Sequence, residues 1–256
     1  MTNEHPRTAL VTGSSGGIGR GIALRLAGDG YRVLVNYFRD RAGAMETVDM
    51  IRQAGGQAIC LEADVGDVEQ VDRMFDRSAA EYGPMGVLVN NAGVQTWKAL
   101  LELEVEEWDR TIRTNLRGTF LCTRKAARQM QSAGAGRIVN LGSGSNRIAF
   151  PRLVDYTASK GGIEMFTKVA AVELGPLGIT VNCVAPGATE IERTRRESPD
   201  YAATWSAVTP LGRVAQVEDI AAAVAFLAGP EASFITGQTL FVDGGLFCRP
   251  VWPYES

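Results

Sequence analysis

Short apolar runs recur along this chain, each closed by glycine or polar turn residues. Longer stretches with apolar residues at helical spacing lie between them. The first run is Thr8-Ala9-Leu10-Val11-Thr12, whose length and flanks predict a buried strand. Gly13-Ser14-Ser15-Gly16-Gly17-Ile18-Gly19 follows, and then Ile22, Ala23, Leu26 and Ala27 sit at helical spacing up to Gly28-Asp29-Gly30. Residues 31–35 read as a second strand. Residues 8–36 therefore predict strand, glycine turn, helix and strand in a length of about 30 residues, that of a βαβ unit.

The alternation continues to the end of the chain. Helices are predicted over 42–54, 67–82, 104–132, 155–174 and 217–228. They stop at Gly55-Gly56, Gly83-Pro84, Gly134-Ala135-Gly136 and, for the fourth, Gly175-Pro176, residues that leave or cannot continue a helix. Strands are predicted over 57–62, 87–89, 137–141, 179–184 and 239–242. Residues 188–215 are polar and interrupted by Pro199 and Pro210, and read as irregular. Seven strands alternating with helices predict an α/β fold of Rossmann type, a single doubly wound, seven-stranded parallel sheet with helices on both faces. No linker or repeat divides residues 1–256, so one domain is expected.

Composition narrows the function. The 256 residues carry a net charge of −3, which argues against a nucleic-acid or anionic-membrane binder. Residues 1–7 are polar, without the apolar core of a signal peptide, and are expected to be a flexible arm. No apolar run reaches the length of a membrane span, and a cytoplasmic location is expected. The four cysteines are scattered without a C-x-x-C pair, and His5 is the only histidine. That composition predicts free thiols and no metal site, and removes Ser-His-Asp hydrolysis.

In a parallel sheet of this kind ligands bind beyond the carboxyl ends of the strands. The glycine turn at 13–19, Asn90-Asn91-Ala92-Gly93, Ser143 and Pro186-Gly187 each follow a predicted strand. Glycines let backbone N–H groups approach a pyrophosphate at the N-terminus of the next helix. The spacing is Gly-x-x-x-Gly-x-Gly rather than Gly-x-Gly-x-x-Gly, and no Gly-Lys-Ser/Thr marks a P-loop. The second strand ends in Asn36-Tyr37-Phe38-Arg39, without the carboxylate that would hold an NAD ribose. Arg39 suits a 2′-phosphate, so NADP(H) is favoured with NAD(H) left open; the alternative is a solvated loop charge. Asp64-Val65 falls where an adenine would lie, although Asp64 also suits a turn. Finally, Tyr156 and Lys160 are four residues apart on a predicted helix, hence on one face. An ammonium beside a phenol favours the phenolate, and such a phenol can exchange a proton with a carbonyl oxygen or an alcohol. On its own the pair also suits an ordinary exposed helix face.

Together these residues resemble the short-chain dehydrogenase/reductase family. The matching motifs are Thr12-Gly13-x-x-x-Gly17-Ile18-Gly19, Asn90-Asn91-Ala92-Gly93, Asn115 in Thr114-Asn115-Leu116, Ser143, Tyr156-x-x-x-Lys160 and Pro186-Gly187. They occur in the family's order over about residues 7–245. The resemblance implies an NAD(P)(H)-dependent dehydrogenase/reductase with Tyr156 as general acid/base and Lys160 supporting it. Ser143 would hold the substrate oxygen, and Asn115 would anchor a water in a proton relay. Gly13, Ser15, Gly17, Ile18, Gly19, Tyr37, Arg39, Asp64, Val65, Asn91, Ala92, Gly93, Pro186, Gly187 and Thr189 would line the cofactor together with Tyr156 and Lys160. Thr12 would instead tie the first turn to residues 90–93. Ile191 stands where many members carry Thr, which puts one cofactor contact in doubt.

The substrate is less legible. Residues 148–156, Pro186-Gly187-Ala188 and 240–245 resemble the glucose 1-dehydrogenase branch, and imply a sugar, polyol or small ketone. Ser143, Ser145, Gln95 and Tyr156 would meet it. Arg147, Arg152 and Arg193 are pocket cations for an acidic sugar or, more simply, surface charges. The alternative is a 3-oxoacyl-acyl-carrier-protein reductase. Such enzymes carry basic groups at places that here read Ser132–Gly136 and Pro176–Gly178, with only Arg137 adjacent. A non-catalytic cofactor-binding regulator is the remote alternative, since Asn115, Ser143, Tyr156 and Lys160 are all present. Residues 188–212 are expected to form a mobile lid. The aromatic tail at 246–256 is expected to pack on a neighbouring subunit of the homotetramer that the family implies.

Overall fold

A computed structural model of the protein describes residues 7–248. Its strands are β1 (Thr8–Val11), β2 (Arg32–Tyr37), β3 (Gln57–Glu62), β4 (Val87–Asn90), β5 (Gly136–Leu141), β6 (Ile179–Pro186) and β7 (Thr239–Val242). The helices are α1 (Gly17–Gly28), α2 (Arg41–Gln53), α3 (Val68–Tyr82), α4 (Val105–Ile112), α5 (Gly118–Ala133), α6 (Val154–Leu174), α7 (Glu192–Glu197), α8 (Tyr201–Ser206) and α9 (Val217–Ala228). The strands form one sheet in the order β3-β2-β1-β4-β5-β6-β7, and every pairing is parallel. The order reverses between β1 and β4, and a crevice opens at their carboxyl ends.

Alternation along each strand sorts the core into two layers. Ala9, Val11, Val33, Val35, Val87, Val89 and Val139 face α1, α2 and α9, meeting Ile22, Val48 and Val224. Leu10, Leu34, Leu88 and Ile138 face the other way, onto Phe75 of α3 and Leu121 and Met130 of α5. Both faces are covered, so the strands read as near-continuous apolar runs. Caps start the helices where polar residues interrupt those runs. The Asp40 carboxylate accepts from Gly43 N at 3.0 Å and opens α2. The Asp67 carboxylate accepts from Gln70 N at 3.0 Å and opens α3. The Gln70 N–H holds the Asp67 carboxyl below its ordinary range. Cys122 and Cys183 are buried free thiols. Burial pushes them up to about 12 and about 11, so both are packing groups rather than nucleophiles.

Two expectations are corrected. The long helix over 104–132 is interrupted by a π-helical turn at Arg113–Arg117, the kind of widening that recurs at functional sites. Residues 188–215 are not irregular throughout, because α7 and α8 lie within them. Of the tail, Phe247 lies against Phe150 of its own chain, with ring centroids 6.2 Å apart. The remainder of the tail, and the arm apart from Arg7, lie outside the described residues.

Candidate active site

The glycine turn after β1 is held from both neighbouring strands. From β2, Asn36 Oδ1 accepts from Gly13 N at 3.1 Å while its Nδ2 donates to Leu61 O and Ala63 O. From β4, Asn91 Nδ2 donates to Thr12 O at 2.9 Å and Gly13 O at 3.0 Å. Thr12 Oγ1 accepts from Asn91 N and Ala92 N, each at 3.0 Å. Thr12 thus ties the turn to residues 90–93, as the sequence suggested. Gly13 has φ +60, and a Cβ on it would come 2.8 Å from Ala92 Cα. A Cβ on Gly19 would run into Gly13 O and the Asn91 amide. Side chains are therefore excluded on geometric grounds, and the backbone lies bare. No side chain caps α1, whose N-cap is Gly16, so its first N–H groups and positive end face the crevice. This cradle fits a pyrophosphate.

Tyr156, Lys160 and Ser143 converge beside it. Lys160 is 4% exposed. Its Nζ donates to Leu141 O at 2.6 Å and stands 5.5 Å from the centroid of the Tyr156 ring. The end of β5 thereby fixes the ammonium under the phenol. Ser143, two residues beyond β5, is half-buried, and its Oγ accepts from Ser145 N at 3.2 Å. The start of α6 is held by Asp155, which is fully buried. One of its carboxylate oxygens accepts from Thr111 Oγ1 and the other from Tyr156 N, both at 2.7 Å.

Asn115 lies in the π-helical turn and is fully buried. Its Nδ2 donates to Val94 O at 2.8 Å and Ser159 Oγ at 2.9 Å, and its Oδ1 accepts from Val94 N at 2.8 Å. Ser159 Oγ in turn donates to Tyr156 O at 2.7 Å. Both amide protons are committed, and the backbone oxygen already accepts from Thr119 Oγ1 at 2.7 Å. In this geometry Asn115 clamps the loop after β4 to the Tyr156 turn. The sequence reading did not find the buried chain behind it. There Asn90 Nδ2 donates to Thr123 Oγ1 and Asn140 Oδ1, and Asn140 Nδ2 donates to Thr167 Oγ1. Nothing in the spacing of these residues announced that they meet.

The other predicted residues differ in exposure and in partners. Tyr37 is 5% exposed, its ring in the core and its hydroxyl donating to Glu62 at 3.3 Å. Its side chain belongs to the sheet. Asp64 pairs with Arg113 at 2.7 Å and accepts from Gly66 N at 2.9 Å, the turn role among its two readings. Val65 is buried, whereas Ser15, Gly17, Ile18 and Ala92 are partly exposed and Gly93 is open. Ser145 is buried with its hydroxyl unpaired among the described residues. Gln95 is half-buried on the loop after Gly93. Arg39 is exposed, holds φ +75 and stacks its guanidinium 5.0 Å over the Phe38 ring.

Beyond β6, Gly187 N donates to Val242 O, and Thr189 Oγ1 donates to Gly187 O at 3.1 Å. Ile191 reaches back to the glycine turn, where a Cβ on Gly17 would lie 3.7 Å from it. The Thr194 hydroxyl bonds both the N–H and the C=O of Ile191, so it does not replace the missing Thr. Tyr201, half-buried on α8, has its phenol raised chiefly by burial. A hydrogen bond with the Thr189 backbone opposes this, and the nearby Tyr156 phenol adds to it. Nothing in the chain's pattern pointed to Tyr201, because its approach depends on how the segment after β6 folds back.

Comparisons with known proteins agree with this geometry. A family model described as enoyl-(acyl carrier protein) reductase matches residues 13–247. The 3beta-hydroxysteroid dehydrogenase 1 of Eggerthella lenta is 42% identical over 247 residues, covering 95% of each chain. A 3-oxoacyl-acyl-carrier-protein reductase of Staphylococcus aureus is 42% identical over 241 residues, covering 94% of this chain and 98% of that protein. Among solved structures, a gluconate 5-dehydrogenase of Burkholderia cenocepacia in complex with NADP and tartrate superposes with a TM-score of 0.90. It is 35% identical and covers 96% of this chain and 97% of its own.

The grip on the glycine turn is testable without any ligand. Thr12→Val removes the acceptor of two backbone N–H groups and should cost about 2 kcal/mol or more. That corresponds to a thermal midpoint lower by roughly 4–8 °C for a domain of this size, read by calorimetry.

Proposed function

The chain belongs to the short-chain dehydrogenase/reductase family, and on that premise we propose that it interconverts a ketone and a secondary alcohol with NADP(H), Tyr156 moving the proton. The observation that carries this is the buried Lys160 ammonium, held on Leu141 O directly under the Tyr156 ring. Bound in the cradle between the glycine turn and Tyr156, the nicotinamide cofactor supplies or accepts the hydride.

The chain's own groups do the rest. The bare N–H groups at the start of α1 take the pyrophosphate. The Ser143 hydroxyl, turning from Ser145 N, donates to the substrate oxygen and orients it toward the phenol. Tyr156 Oη gives its proton to that oxygen during reduction and takes it back during oxidation. The Lys160 ammonium stabilises the phenolate left behind, by charge and at short range. Because Lys160 is buried, this attraction is screened less than at a surface. Asn115 and Asp155 keep the Tyr156 turn in place, so the phenol needs little reorganisation.

NADP(H) is favoured over NAD(H) because β2 ends without a carboxylate. Arg39 stands there in a left-handed conformation that costs a non-glycine residue about 1 kcal/mol or more. The NADP in the Burkholderia structure supports the same reading. A 3-oxoacyl-acyl-carrier-protein substrate is favoured by the Staphylococcus relative. Against it, Arg137 is 5% exposed within β5 and donates to Gly136 O, so it offers no surface charge to an acidic carrier. We read the protein as cytoplasmic, in keeping with the absence, among the described residues, of any helix long and apolar enough to cross a membrane. We read it also as a homotetramer. Support comes from Phe120 of α5 and Met165, Val169 and Val172 of α6, apolar side chains left exposed as an interface would require.

Tyr156→Phe should lower kcat by about a thousandfold or more while NADPH still binds, measured by NADPH oxidation and by fluorescence titration. Retained turnover would remove the assigned role. Arg39→Asp should lower kcat/KM for NADPH by about tenfold or more and spare NADH; equal losses for both cofactors would overturn the preference. Light scattering should return four times the 27.5 kDa chain mass, and a monomer would refute the assembly.

A further inference from the structure

Four aromatic rings from three distant parts of the chain meet beside Ser143. Phe150 follows the Ser143 loop, Tyr201 and Trp205 lie one turn apart on α8, and Phe247 comes from the turn after β7. Ring centroids are 6.0 Å apart for Phe150 and Trp205, 6.2 Å for Phe150 and Phe247, and 6.2 Å for Tyr201 and Trp205. Phe150 contacts Trp205 and Phe247 edge-on at 74°, a favourable arrangement for aromatic pairs.

The wall is built in place at both ends. Phe247 lies so close over Gly144, the residue after Ser143, that a Cβ there would run into its ring. Its direction is set by Asp243, whose carboxylate accepts from Gly245 N and Phe247 N, each at 3.0 Å. Gly244 and Gly245 turn the chain back with φ +62 and +84. At the other end Tyr201 meets the Thr189 backbone and stands near Tyr156.

Three of the nearby cations have partners of their own, while Arg152, two residues beyond Phe150, is exposed. Arg147 stacks 4.6 Å over the Phe241 ring. Arg193 pairs with Glu197 at 3.8 Å, and Arg195 pairs with Glu190 at 3.0 Å. A polyhydroxylated or acidic chain needs several convergent polar partners, because each of its groups loses water on entry. An apolar ring body needs only faces to lie against.

We propose that Phe150, Tyr201, Trp205 and Phe247 form the specificity wall of the site and select a ketone or secondary alcohol carried on an apolar ring body. This rests on the oxidoreductase reading above. The wall acts on binding, while Ser143 and Tyr156 act on the oxygen. Its effect therefore falls mainly on KM and little on kcat.

The test measures kcat and KM of the full-length enzyme with NADPH for three probes: the bicyclic ketone 2-decalone, 5-keto-D-gluconate and acetoacetyl-coenzyme A. Decalone should exceed both others in kcat/KM by about tenfold or more. Trp205→Ala and Phe247→Ala should raise KM for decalone about tenfold with NADPH binding retained. Trp205→Gln, which keeps part of the bulk but removes the ring, should give the same rise and guards against collapse of the alanine variant. Preference for the ketogluconate or the thioester would overturn the proposal, as would an unchanged decalone KM in all three variants. No turnover of any probe by enzyme that still binds NADPH would instead overturn the oxidoreductase reading, and this proposal with it.

Discussion

The architecture depends on the close backbone approach between the ends of β1 and β4. At that point the sheet order reverses, and two chain segments leave in opposite directions with unpaired N–H and C=O groups. Buried backbone groups without partners are costly, and here two side chains supply them. Thr12 Oγ1 accepts from two successive N–H groups of the 91–92 segment, and Asn91 donates to two carbonyls of the glycine turn. The glycines at 13 and 19 are required because any side chain would occupy the space these bonds need. A bare cradle for an anion is the outcome of satisfying the crevice's own polar groups.

From that fixed edge the residues proposed for catalysis are placed by rigid elements. Lys160 is anchored by a carbonyl of β5, Tyr156 by the buried Asp155 and by Ser159, and Ser159 by Asn115 from the π-helical turn. Lys160 is thus set by a strand end, and Tyr156 by bonds within α6 that lead to the π-helical turn. The widened turn at Arg113–Arg117 is what brings Asn115 within reach of both Val94 and Ser159.

The segment after β6 is built differently. It carries two short helices whose contacts to the site are aromatic and apolar, from Ile191 over the glycine turn to Trp205 against Phe150. In the proposed reading, oriented hydrogen bonds hold the reacting oxygen and rings of less exacting geometry receive the rest of the molecule. The same division explains why relatives with similar sheets bear names for such different substrates: the chemistry lies on the sheet edge and selection lies on the covering loops.

The sequence by itself determined the seven strands and the order of their helices, because alternating burial on a parallel sheet is a local pattern that each run carries within itself. It also determined the glycine cradle, Thr12, and the Tyr156–Lys160 pair with Ser143, whose types and spacings are dictated by local geometry. It did not show that the Tyr37 ring enters the core, since which way a residue at a strand end faces depends on register with β3. It left Asp64 between two roles that only the arrival of Arg113, forty-nine positions later, separates. The buried chain Asn90–Asn140–Thr167 and the aromatic wall of Phe150, Tyr201, Trp205 and Phe247 were invisible to it for one physical reason. Their members are remote in the chain and carry no periodicity, so only the closure of the sheet and the fold-back after β6 and β7 bring them into contact.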